Sequence, residues 1–75
     1  MKTYTFKAEC LQDVTDLLKN LTQKHKVARV AISFQEYCGD VYVTFTTEAK
    51  TNQIKAIMRR QPDSHVMTRT LKKAY

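Results

Sequence analysis

Apolar residues in this chain fall at two spacings, two and about 3.6, and the order in which these alternate limits the chain to very few folds. From Lys2 to Lys7, Tyr4 and Phe6 alternate with Thr3, Thr5 and Lys7, the pattern of a strand with one buried face. Val14, Leu17, Leu18 and Leu21 then fall at i, i+3, i+4 and i+7, predicting an amphipathic helix from about residue 12 to about residue 25. Asp13 and Asp16 in its first turn and Lys24, His25 and Lys26 at its end complement the helix macrodipole. Alternation returns from Val27 to Tyr37 and again from Val41 to Thr46. Between them, Gly39-Asp40 has the composition of a two-residue type II′ turn. That turn sets Cys38 opposite Val41, Tyr37 opposite Tyr42 and Phe34 opposite Phe45, with Val30, Ile32 and Phe34 sharing the inward face of Val41, Val43 and Phe45.

Ile54, Ile57 and Met58 mark one face of a second helix between Glu48 and Gln61, with Thr51 or Asn52 as its cap. Gln61-Pro62-Asp63-Ser64 reads as a turn, and His65 to Leu71 as a last strand. Its facing stays open: either Val66, Thr68 and Thr70 point inward, or Met67, Arg69 and Leu71 do. The predicted order is therefore strand, helix, strand, strand, helix, strand. Right-handed crossovers then give a four-stranded antiparallel sheet of order 4-1-3-2 with two helices on one face. The expected class is α+β, a ferredoxin-like βαββαβ sandwich whose second sheet face is open to solvent. Residues 1–75 make a single domain, because a chain of 8.7 kDa has room for one core.

Charge adds what periodicity cannot. The net charge is +6, from 13 basic and 7 acidic residues. Residues 1–48 hold six of each sign, so the whole surplus lies in residues 49–75, where Asp63 alone opposes seven cations. The predicted topology gathers Lys2, Lys24, Lys26, Lys50, Lys72 and Lys73 at one end of the sheet, with His25 and the terminal amine. It sends Glu9, Asp13, Glu36, Asp40 and Asp63 to the other end, with Arg59 and Arg60 among them and a Glu36–arginine pair expected there. A basic end of this kind fits a polyanion, nucleic acid or an acidic protein surface, by Coulomb attraction. A net charge of magnitude ~2–8 also serves solubility alone.

On the open face, Tyr37 and Tyr42 are the expected cross-strand aromatic pair, with Lys7 and Arg29 nearby, and Arg69 if the outward set of the last strand includes it. Rings beside cations on an open sheet can stack unpaired bases. Such a pair also simply staples a hairpin. The octamer Cys38-Gly39-Asp40-Val41-Tyr42-Val43-Thr44-Phe45 resembles the third-strand motif of RNA-recognition-motif domains at Gly39, Tyr42, Val43 and Phe45. That resemblance implies a βαββαβ fold and a base-stacking role for Tyr42. The chain departs from the family at Cys38, Asp40 and Val41, and in strand one, where Thr3 and Thr5 rather than aromatics face outward.

Enzyme chemistry finds little purchase, and no cofactor is expected. Glu9 has no second carboxylate at metal-site spacing, His25 and His65 read as surface residues, and one glycine cannot build a phosphate-cradling loop. Cys10 and Cys38 stand 28 positions apart with no metal-ligand spacing. They are either free thiols of a reducing compartment, the expected state, or one disulfide. No apolar run nears the ~18 residues of a membrane span, and the chain is expected to be cytoplasmic. The expected function is non-catalytic binding of a polyanion through Lys2, Lys24, Lys26, Arg29, Lys50, Lys72 and Lys73, with Tyr37 and Tyr42 on the open face. The alternative is an inhibitor or adaptor of the kind mobile elements encode. It would bind a host protein or a second copy through the sparsely charged edge Val27 to Tyr37.

Overall fold

A computed structural model describes residues 1–34, 39–61 and 65–74. Seven elements follow in order: β1 (Lys2–Ala8), α1 (Leu11–Lys24), β2 (Val27–Phe34), β3 (Val41–Thr47), α2 (Thr51–Met58), α3 (His65–Thr70) and β4 (Lys72–Lys73). The strands form one antiparallel sheet in the order β2-β3-β1-β4, which is 4-1-3-2 when read from the other edge. Tyr4, Phe6 and Ala8 of β1 and Val41, Val43 and Phe45 of β3 are all buried on one face, as period two requires. Val14, Leu17 and Leu21 of α1 and Ile54, Ile57 and Met58 of α2 close over them. The rings of Tyr4 and Phe6 flank that of Phe45 at centroid distances of 6.0 and 5.8 Å, the second pair edge-on. The other face carries Thr3, Thr5, Tyr42, Thr44 and Thr46 and stays uncovered.

Four expectations need correction. First, His65–Thr70 is helical, so there are three helices among the described residues and the last strand shrinks to Lys72–Lys73. Val66, Met67 and Leu71 are all buried, and two adjacent inward side chains fit a 3.6-residue period but not a half-buried strand. The helix stops the sheet from running out of partners. Thr70 Oγ1 sits against the free edge of β1, accepts the Lys7 N–H at 2.9 Å and donates back to the Val66 carbonyl at 2.6 Å. A side-chain hydroxyl thus replaces a strand at that point.

Second, the β2–β3 register differs by four residues. Phe34 lies opposite Val41, Ile32 opposite Val43, and Ser33, not Tyr37, opposite Tyr42. From Ala31 to Phe34 the pattern of inward and outward residues survives, because a slip by an even number keeps each side chain on its face, whereas Val27 and Ala28, beyond a break in the ladder, are displaced by five and take the opposite faces. Gly39 has a positive φ of 70°, but because Phe34 rather than Cys38 opposes Val41, Gly39-Asp40 is not a two-residue turn between the strands. Tyr37, Cys38 and Glu36, with its expected arginine pair, lie outside the described residues.

Third, Val30, Ile32 and Phe34 are exposed, at 44%, 40% and 63%, rather than in the core. β2 is the outermost strand, and α1 reaches it without covering it. A break in the ladder between Ala28 and Ala31 adds to this, with Arg29 at φ 53°, a left-handed value costly for a side chain with a Cβ. At the start of α2, finally, the cap residue is Lys50 rather than Thr51 or Asn52. Its N–H donates to Gln53 Oε1 at 2.8 Å, one half of a capping box.

Candidate functional site

At one end of the sheet β1 begins and the chain reverses twice, between α1 and β2 and between β3 and α2. Lysines occupy all three places. Lys2 opens β1 opposite Thr47, Lys24 closes α1, Lys26 precedes β2, and Lys50 caps α2. Lys73 of β4 pairs with Tyr4 and joins them. Two shallow depressions meet there. One, of about 450 Å³, is bounded by Lys2, Lys50 and Lys73, and the other, of about 590 Å³, by Lys24, His25 and Lys26. Met1 and Glu48 line both, so five lysines surround one carboxylate on a continuous surface.

The loops beneath these lysines are tied together. Thr47 is fully buried, donates from Oγ1 to the Lys26 carbonyl at 2.6 Å, and accepts the Ala49 N–H at 3.3 Å. The Lys26 N–H donates to Glu48 Oε1 at 3.2 Å, and Tyr4 Oη donates to the Ala49 carbonyl at 3.3 Å. One hydroxyl therefore joins the α1–β2 link to the β3–α2 link and fixes the backbone that carries Lys26 and Lys50. Replacing it with an isosteric methyl, Thr47→Val, takes a partner from the buried Ala49 amide and from the part-buried Lys26 carbonyl, at a cost of about 1–3 kcal/mol. For a domain this small we expect the thermal midpoint to fall by at least ~4 °C, with faster hydrogen exchange at Ala49.

Lys72 does not belong to this end. It pairs with Thr5, which turns it to the open face, while Lys73 turns to the helix side. There Lys72 shares a depression of about 510 Å³ with Thr5, Lys7, Tyr42 and Arg69. Tyr42 stands opposite Lys7 on β1, and Lys7 Nζ makes an ion pair with Asp40 at 3.0 Å. Arg69 arrives from α3 rather than from a strand. The open-face threonines are largely satisfied among themselves: Thr3 and Thr46 hydroxyls lie 3.1 Å apart, and Thr5 Oγ1 donates to the Val43 carbonyl at 3.0 Å. Arg29 is exposed on β2 and lines neither basic depression, and Tyr37 lies outside the described residues.

Thr47 and Glu48 were not singled out from the sequence. A signal for Thr47 was present: it continues the inward series Val41, Val43, Phe45, and a polar residue in such a series has a buried partner to find. Nothing local marked Glu48. Among the described residues no three His, Cys, Asp or Glu side chains gather at metal-binding distance, and Cys10 is an exposed free thiol. No helix among them is long and apolar enough to cross a membrane. Comparison with protein-family models, with curated protein sequences and with solved structures finds no match.

Proposed function

We propose that this chain is a non-catalytic binding domain of ferredoxin-like type that takes a polyanion, single-stranded nucleic acid, on its lysine-rich end and open sheet face. The observation that carries this reading is the meeting of Lys2, Lys24, Lys26, Lys50 and Lys73 around two adjoining depressions, with Glu48 as the one acidic side chain that lines them among the described residues. Phosphates spaced along a flexible strand suit lysines on separate loops, since each ammonium is a compact charge that needs no fixed angle. Tyr42 adds a ring beside Arg69 and Lys72 on the open face, consistent with the resemblance of its strand to the RNA-recognition motif. A cytoplasmic setting fits a free Cys10 thiol. An inhibitor or adaptor that works by protein contact is the second reading, and the exposed apolar edge of β2 is what favours it.

Titration of a labelled mixed-sequence single-stranded oligonucleotide at low ionic strength tests the first reading, and saturable binding is expected. Stacking of one base contributes ~1–3 kcal/mol, so Tyr42→Ser should weaken that binding by about fivefold or more. Unchanged affinity would remove the tyrosine from the site and leave the lysines. No binding to any oligonucleotide at low salt would remove the nucleic-acid reading itself.

A further inference from the structure

β4 is the last strand of the sheet and only two residues long, Lys72 and Lys73, both exposed. Neighbours on a strand point to opposite faces, so Lys72, opposite Thr5, leans over the open face and Lys73, opposite Tyr4, over the helix side. Each lines a different depression: Lys73 the one with Lys2 and Lys50, Lys72 the one with Tyr42 and Arg69. The two depressions therefore lie on opposite sides of the sheet. At their shared margin the lining passes from one to the other between consecutive residues, whose Cα atoms are ~3.8 Å apart. No further strand lies outside β4 among the described residues, and Thr70 of α3 covers the β1 edge only near Lys7. The margin at Lys72 and Lys73 is an uncovered rim.

Charge sets the class of ligand for this path, and its bend sets the form. Lys2, Lys50 and Lys73 stand on one side of the rim and Lys72 and Arg69 on the other, all of them exposed. The acids near them are engaged: Asp40 by Lys7 Nζ at 3.0 Å, and Glu48 by the Lys26 N–H at 3.2 Å. A polyanion fits such a surface. A duplex, with a persistence length of about 150 base pairs, cannot fold over an edge one strand wide. A single strand can bend at each nucleotide. At ~3.4 Å per stacked nucleotide, about 12 nucleotides span about 40 Å, roughly twice the 19 Å shortest extent of the molecule.

We propose that this chain selects single strands over duplexes because its ligand crosses the β4 edge. One strand lays phosphates on Lys2, Lys50 and Lys73, passes over the rim, and stacks a base on Tyr42 beside Lys72 and Arg69. The inference rests on the polyanion reading above and adds to it the path and the strandedness. Charge density alone argues the other way. Each neutralised phosphate contributes a salt slope of ~0.9 on duplex DNA against ~0.7 on a single strand, so a flat basic patch gains more from the duplex. Preference for the single strand is then a mark of the geometry rather than of the net charge of +6.

Titration of the full, nitrogen-15-labelled chain with a mixed-sequence single strand of about 12 nucleotides, and with the duplex of equal length, tests this. The single strand should bind about tenfold tighter or more, the factor set by the lower range of duplex bending costs. The amides of Lys2, Lys50 and Lys73 and those of Tyr42, Arg69 and Lys72 should shift on one isotherm that ends at one strand per chain. Lys2→Gln with Lys50→Gln, and Arg69→Gln with Lys72→Gln, should each weaken that binding more than Lys19→Gln with Lys55→Gln, which line neither depression. Two strands per chain, shifts confined to one group of amides, equal weakening by all three pairs, or a duplex bound as tightly as the single strand would each overturn the proposal and leave a polyanion-binding protein. No binding to either oligonucleotide would overturn the polyanion reading along with it.

Discussion

Phe45→Ala should cost this protein ~3–5 kcal/mol of its stability, while Phe34→Ala, one strand away on the same face of the sheet, should change stability by less than ~0.5 kcal/mol. Phe45 is fully buried between Tyr4 and Phe6 in β3, an inner strand of the sheet. Truncating such a ring removes its transfer free energy and leaves a cavity that the flanking rings cannot fill, at a combined cost of ~3–5 kcal/mol. At ~0.05–0.15 kcal/mol per residue, a chain of 75 residues has about 4–11 kcal/mol in total. Phe34 is 63% exposed in the monomer, and its truncation opens no cavity. Urea unfolding followed by circular dichroism checks both, at a concentration low enough that association plays no part. Equal losses at the two positions would mean that β2 is covered in solution even by the isolated chain.

The second large effect is electrostatic. If five lysines each neutralise one phosphate of a single strand, the logarithm of the association constant should fall with the logarithm of salt at a slope of about −3.5. A fourfold rise in salt then weakens binding by about 100-fold. Replacing Lys24, Lys26 and Lys50 with glutamine should bring the slope to about −1.4, so that the same rise in salt costs only about sevenfold. The control is a charge-matched triple at Lys19, Lys55 and Arg60, which line neither basic depression. That variant should keep the original slope. Equal changes in the two triples would show net charge at work rather than the arrangement of the loops.

Much of the architecture is legible in local spacing. Tyr4 and Phe6, the Val14–Leu21 stripe, Val41, Val43 and Phe45, and Ile54, Ile57 and Met58 each mark a buried face, and each of those faces is buried. The lysines near the chain reversals were legible too, because topology alone sends them to one end. The hairpin register was not. Alternation repeats every two residues, so it separates odd slips from even ones and is blind to a slip of four. The last segment held its own warning in the undecided facing of Val66 and Met67. Two adjacent apolar residues followed by Leu71 at i+5 and i+4 are a helical stripe, but a six-residue element is too short for that stripe to stand out.

Sequence by itself determined which faces are apolar, how many layers they can build, and that the positive surplus lies in the last third of the chain. These follow from side-chain chemistry and from the two backbone periods, both local properties. Only the tertiary structure decided which apolar face goes without a cover, which loops Thr47 ties together, and that Lys72 and Lys73 part to opposite sides of the sheet. Coverage and hydrogen-bond partnership depend on elements far apart in the chain. Ile32 and Phe34 have the same pattern as Val43 and Phe45, and they lie outside the core because β2 is an edge strand that α1 touches without covering.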